Sequence, residues 1–229
     1  LALMRAKLKF RHLFDLAWVP GPGQVQYAKA LGFESRQILE GFYTADYKAL
    51  SKIEWNTGTE FPKRFVYVGR YVGFKGVREL WKAFNQLNSG KWELFCAGQG
   101  ELYSERDLSE GIHHLGFVQP TDLNKFVARG GVFVLPSKKE PWGVVVHEFA
   151  SAGYPLLCSD KVGAASALLS KEKNGLSFKA GSAASLAMAM RKMVEKPDAE
   201  LWEMGKVSKE RASQYTKEKW VETALHILN

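Results

Sequence analysis

The sequence predicts an α/β protein: a Rossmann-like parallel sheet with helices on both faces, preceded by the remnant of another domain. Three observations carry this expectation. From Arg64 onward, short apolar runs alternate with helix-length amphipathic ones, the pattern of successive βαβ units. Glycines and charged residues collect where the apolar runs end, and parallel sheets bind ligands beyond the carboxyl ends of their strands. Across residues 140 to 148, Glu-Pro-Trp-Gly-Val-Val-Val-His-Glu, two glutamates flank a loop-to-helix junction.

Taken in chain order, the first segment is Leu1–Phe14, basic and amphipathic. Leu1, Met4 and Leu8 share a face beside Arg5, Lys7, Lys9 and Arg11, which suits either a helix packed on another domain or peripheral contact with an anionic membrane. Leu16–Val19 is strand-like and ends in Pro20-Gly21-Pro22-Gly23. Gln24–Leu31 is helical, stopped by Gly32, and Ile38–Phe42 is a second strand candidate. Two short βα pieces cannot bury both faces of a sheet, and the chain opens with leucine. Residues 1–45 are therefore expected to be the tail of an N-terminal domain. The turn-rich stretch 43–62, with Asn56, Thr57, Gly58 and Pro62, sets a linker at 46–62.

Residues 63–213 should form the main domain. Its strands are expected at Phe65–Gly69, Trp92–Ala97, Ile112–Leu115, Val132–Leu135, Leu156–Ser159 and Leu176–Phe178, and its helices near 76–88, 101–109, 120–129, 144–152, 163–170, 182–195 and 198–213. A last helix, 216–228, falls in a terminal segment 214–229.

Composition narrows the function. The 229 residues, 46% hydrophobic, suffice for one good core and part of a second. No apolar run approaches the roughly 18 residues of a membrane span, and basic residues interrupt the start too often for a secretory signal. A net charge of +8 suggests an anionic partner: a nucleotide, a phosphorylated substrate or an acidic membrane surface. No zinc-finger spacing, RNP-like strand or long basic run supports nucleic acid. Cys96 and Cys158, each in an apolar run, are read as buried thiols of a cytosolic protein.

The strand ends supply the chemistry. Arg70 and Lys75 bracket a glycine-containing loop, Val-Gly-Arg-Tyr-Val-Gly-Phe-Lys-Gly from Val68, where two cations beside a helix start can grip a diphosphate. No Walker A pattern is present. Gly98-Gln99-Gly100 permits close backbone approach, but Tyr103 fills the third glycine place of a dinucleotide fingerprint. Pro141 disfavours helix at Glu140 and Gly143 lets a backbone come near a ligand, so Val144–Ala152 starts a helix whose N-terminus suits a phosphate. His147-Glu148 opens like a zinc-protease helix without the second histidine, so no metal is expected. Trp142 is either an aromatic lid or a core plug, and His113 and His114 are packed or surface histidines.

With these residues in view, the chain resembles the retaining, nucleotide-sugar-dependent glycosyltransferases of the two-domain GT-B fold: the glycogen-synthase and mannosyltransferase-like "group 1" enzymes. The resemblance rests on Val-Gly-Arg…Lys-Gly, the Gly-x-Gly turn, Leu-Gly-Phe-Val, Leu-Pro-Ser and the two glutamates, over about 63 to 195; residues 16 to 50 match more loosely. It implies the donor-binding half of such an enzyme. Arg70 and Lys75 would hold the pyrophosphate of a UDP- or GDP-sugar, without a metal or other cofactor. Backbone of Gly69, Gly98, Gly100, Gly143, Val144 and Val145 would approach the donor, and Val118 would lie near the base. Glu140 would meet the sugar and Glu148 the ribose. Trp142 stands where a smaller aromatic is expected, beside the sugar. The acceptor, a glycan or lipid-linked sugar, would come through the N-terminal domain, and this chain alone would transfer little. An epimerase or phosphorylase on the same fold, or a nucleotide-binding module without chemistry, are the other readings.

Overall fold

A computed structural model describes residues 13–55, 60–87 and 90–228. The Leu1–Phe14 amphipathic segment lies outside the described residues up to residue 12, as do the linker signals Asn56, Thr57 and Gly58. Residues 17–50 form β1 (Ala17–Trp18), α1 (Pro22–Ala30), β2 (Ile38–Leu39) and one helical turn, α2 (Tyr47–Leu50). β1 and β2 pair in parallel as a two-stranded sheet. Both strands are shorter than the apolar runs suggest. The turn-rich stretch also contains helix: Asp46 caps α2 by accepting from the Ala49 N–H at 3.3 Å.

Six parallel strands follow: β3 (Arg64–Val68), β4 (Glu93–Ala97), β5 (Ile112–Gly116), β6 (Val132–Leu135), β7 (Leu156–Ser159) and β8 (Gly175–Phe178). Their spatial order is β5-β4-β3-β6-β7-β8. The fully apolar Val-Phe-Val-Leu run of β6 is buried along its whole length at the sheet centre, as strands covered on both faces should be. α3 (Val77–Asn85) buries Val77, Leu80, Trp81 and Phe84, one helical stripe, and packs on α7 (Ala183–Val194). α5 (Val144–Ser151), α6 (Ala165–Leu168) and α8 (Asp198–Ala212) pack together. Strand order reverses direction at β3, so right-handed crossovers put these two groups on opposite faces of the sheet. α5 and α8 come close because Gly205 lies under the Gly153 carbonyl, where a Cβ would approach the oxygen to 2.3 Å.

One expected helix fails and another is cut short. Residues 101–109 form only a 3-10 turn, Tyr103–Glu105, because the Leu102 N–H donates back to the Tyr71 carbonyl at 2.9 Å and pins the chain against the preceding loop. Residues 163–170 shorten to α6, since the Gly163 and Ala164 N–H groups donate to the Glu140 and Trp142 carbonyls, both at 2.9 Å. The remaining helices are α4 (Pro120–Val127) and α9 (Lys217–Leu228). α9 reaches the N-terminal segment: the Trp220 indole packs at a tilt against Trp18 with centroids 4.9 Å apart and donates to the Phe42 carbonyl at 2.9 Å. No helix among the described residues is long and apolar enough to cross a membrane.

Candidate functional site

β3 and β6 are neighbours, yet their connections leave in opposite directions along the sheet. The loops after them therefore open a crevice at the switch point. Three contacts tie the loops together. Gly76, at φ +74°, presses on the Pro136 carbonyl, where a Cβ would come within 2.2 Å. The Lys138 N–H donates to the Phe74 carbonyl at 2.7 Å. The Lys75 ammonium forms an ion pair with the Glu140 carboxylate, both side chains only 15% and 13% exposed. Residues 65 positions apart in sequence thus meet as a partly buried charge pair. The Arg70 carbonyl is held by the Tyr67 hydroxyl at 2.8 Å. The exposed Arg70 guanidinium lies 5.6 Å from the Phe74 ring centroid.

The crevice is a cleft of about 600 Å³. Gly69, Arg70, Lys75, Glu140, Trp142, Gly143, Val144, Val145 and Glu148, all singled out in the sequence, line it. Gly143 turns the chain at φ +96° into α5, whose first N–H groups have no carbonyl a turn behind them. Glu148 sits on the second turn of α5. Burial alone raises its carboxyl above the usual glutamate value, and its carboxylate has no hydrogen bond or ion pair among the described residues. Two cations, a helix N-terminus and two carboxylates in one cleft can bind a ligand that is anionic at one end and hydroxylated at the other. Val68 and Tyr43 also line the cleft. Sequence reading missed Tyr43, which sits in an irregular stretch where no spacing marks it.

Gly98, Gly100 and Val118 do not line this cleft. The first two serve backbone packing: a Cβ at Gly98 would lie 1.9 Å from the Gly69 carbonyl oxygen, and one at Gly100 2.5 Å from that of Tyr71. Trp142 is 4% exposed and packs on Gly21 of the N-terminal segment, where an added Cβ would meet its ring at 2.7 Å. It is a core residue that also forms part of the cleft wall. His147 is buried: its Nδ1 accepts from the Ala45 N–H at 3.0 Å while Nε2 donates to the Ala212 carbonyl at 3.1 Å. Those partners fix a neutral imidazole, and burial lowers its pKa. Cys96 and Cys158 are free and buried, and burial pushes both thiols up to about 12. Among the described residues, no three acidic, histidine or cysteine side chains gather as a metal site.

Comparison with known proteins agrees with this architecture. The pattern of the family described as "Glycosyl transferases group 1" matches residues 52–218. Glycogen synthase of Mycobacterium tuberculosis is 30% identical over 147 residues, 60% of this chain and 35% of that protein. TuaC of Bacillus subtilis, named for teichuronic acid biosynthesis, is 30% identical over 173 residues, 73% of this chain and 43% of that protein. The chain thus spans less than half the length of these curated relatives. Among solved structures, sucrose-phosphate synthase of Thermosynechococcus elongatus superposes with a TM-score of 0.78 at 22% identity, covering 99% of this chain and 60% of that one. HepE of Anabaena, in complex with UDP and glucose, gives 0.74 at 17% identity, covering 100% of this chain and 67% of that one. These likenesses identify a Rossmann-like half of the GT-B fold, and the family match settles the assignment: the chain belongs to the group 1 glycosyltransferases.

Proposed function

We propose that the chain carries the donor site of a transferase that moves a sugar from a nucleoside-diphosphate sugar to a glycan or lipid-linked acceptor, with retention of anomeric configuration and without a metal ion. The observation that carries this reading is the convergence of Arg70, Lys75, the α5 N-terminus, Glu140 and Glu148 on one cleft. Arg70 and Lys75 supply the positive charge that a departing diphosphate needs, and fixed charges at a developing anion lower a barrier without solvent reorganisation. Glu140 faces the sugar and Glu148 the ribose. The UDP and glucose held by the HepE structure support a uridine donor.

In the resting cleft, Lys75 is already paired with Glu140. A pyrophosphate arriving at Lys75 replaces that internal counter-ion, and the released carboxylate becomes available to the sugar hydroxyls. These 229 residues by themselves, under half the length of the curated relatives, should bind donor and transfer little, since proximity of two substrates supplies much of such a rate.

Calorimetric titration of UDP and GDP, with and without EDTA, tests the reading. Binding should survive chelation, and Arg70→Ala or Lys75→Ala should each weaken it by about ten- to a hundredfold, the value of a charge-assisted contact. Binding lost on chelation, or stronger binding of NAD than of either nucleotide, would overturn it.

A further inference from the structure

A second cleft, of about 510 Å³, adjoins the first. The two share Glu140 and Pro141 as a common wall. Its other sides come from the start of α1 at Gly23 and Gln24, from Lys138 and Lys139 after β6, and from Asp160–Gly163 after β7. The walls are held together by backbone and amide contacts. The Gln24 amide donates to the Pro141 carbonyl at 2.9 Å, and the Gly23 N–H donates to the Ser166 hydroxyl at 3.1 Å. The Glu140 N–H donates to the Lys161 carbonyl at 3.2 Å, and Gly163 returns a bond to the Glu140 carbonyl at 2.9 Å.

Glu140 and Val162 form a parallel bridge. Lys139 and Lys161, each one residue earlier, therefore stand side by side on adjoining loops. Both are exposed, and neither has an ion pair among the described residues, whereas Lys138 is paired with Glu79 at 2.7 Å. One carboxylate oxygen of the nearby Asp160 is engaged by the Ala180 N–H at 3.0 Å. Two like charges on adjoining loops repel; the Asp160 carboxylate lining the same cleft offsets only one of them, and a further anion between the lysines relieves the rest of that cost. Their cleft opens on the far side of Glu140 from Arg70 and Lys75.

We propose that Lys139 and Lys161 grip an anionic group, a phosphate or a carboxylate, carried by the acceptor. The proposal rests on the sugar-transfer reading above and deepens it: the donor's charge is held on one side of Glu140, the acceptor's on the other. The acceptor class is then an acidic glycan rather than a neutral one.

Titration of the 229-residue chain, with and without UDP, tests this with three soluble probes (maltotriose, a glucuronate-containing tetrasaccharide and a trimer of glycerol phosphate) beside an adsorption assay on phosphatidylglycerol vesicles. The acidic probes should bind more tightly than maltotriose and lose affinity with added salt. Lys139→Ala combined with Lys161→Ala should weaken them about tenfold or more, leaving UDP affinity and the melting temperature unchanged. Comparing glucuronate with glycerol phosphate separates the two anions. Equal binding of neutral and acidic probes, or acidic binding unmoved in the double variant, overturns the proposal. So does a loss of UDP affinity in that variant, which would make the lysines donor ligands. Loss of adsorption to phosphatidylglycerol vesicles without any change for the soluble probes would assign the pair to a membrane surface instead. UDP failing to bind the wild-type chain would sink the sugar-transfer reading, while the acidic-probe titration without UDP still decides the lysine pair.

Discussion

The two halves of the sheet's carboxyl edge look alike in sequence and differ in the folded chain. After β3 and β6, Arg70, Lys75, Glu140 and Gly143 surround a cleft. After β4 and β5, Gly98, Gly100 and Val118 do not reach it, although the same mixture of glycine and polar residues is present. Strand order makes the difference. β4 and β5 continue outward in one direction from β3, so the loop after β4 lies on the backbone of the loop before, as Gly98 lies on Gly69 and Gly100 on Tyr71, and β5 stands one strand further from the crevice. Between β3 and β6 the connections diverge and the loops part. A glycine in a loop thus announces close approach of a backbone; whether the approaching partner is a ligand or the protein's own chain depends on topology.

The largest effect that tests this contrast is structural. Gly100 sits at φ +155° with the Tyr71 carbonyl 2.5 Å from where a Cβ would lie. Gly100→Ala should cost roughly 3 kcal/mol through strain and overpacking, lowering the melting temperature by ~10 °C. UDP affinity of the folded variant should stay within about twofold, a margin of ~0.4 kcal/mol. Gly143 is also at positive φ, but its crowding comes from the Glu140 side chain, whose Cγ lies 3.0 Å from the Cβ site. Gly143→Ala should therefore melt closer to wild type and bind sugar nucleotide more weakly. If the two variants exchange these phenotypes, the topological account of the rim is wrong.

Legibility follows the same line. Short apolar runs placed all six main strands, most plainly β6 and β7, which are buried along their whole length and leave few polar positions to confuse the period; the edge strand β5 was readable despite His113 and His114. Helices anchored by an apolar stripe, such as Val77–Phe84 in α3, were equally readable. The 101–109 segment misled because its composition suits a helix while its first N–H groups are claimed by the Tyr71 and Gly100 carbonyls, long-range or turn partners that no local pattern reveals. That Lys75 and Glu140 share one rim was legible from the strand ends, but their ion pair, Tyr43 in the cleft and the His147 link from Ala45 to Ala212 depend on how distant segments meet.

A middle-sized effect separates the two glutamates. Glu148→Ala should weaken UDP and UDP-sugar by similar factors, about ten- to a hundredfold for a charge-assisted hydrogen bond, because both carry the ribose. Glu140→Ala should weaken only the sugar nucleotide. It should also leave Lys75 partly buried and unpaired, which destabilises the free protein. UDP then supplies the missing negative charge, so its thermal stabilisation of Glu140→Ala should exceed that of wild type. Thermal shift with and without UDP checks this. Equal losses of UDP affinity in both variants would reduce the pair to a decorated helix start.

The smallest effect concerns the proton on Glu148. Burial raises its carboxyl in the folded protein, while the unfolded value stays near 4.5. Between those two values the folded state holds the proton that the unfolded chain has released, so stability falls as pH rises through the window. Above the folded value the penalty for an ionised, partly buried carboxylate is complete; below 4.5 it is absent. Glu148→Gln removes that penalty and should melt slightly higher than wild type at neutral pH, the difference vanishing in acid. Donor binding should run the other way. Ribose hydroxyls donate to the ionised carboxylate, so wild-type affinity for UDP-glucose should decline as pH falls through the raised value, while the variant's affinity stays low and flat. UDP-glucose suits the titration because its phosphodiester charges do not change there. A variant that binds with the wild-type pH profile would show that Glu148 does not hold the ribose, and the asymmetry between the two halves of the rim would rest on Arg70, Lys75 and Glu140 alone.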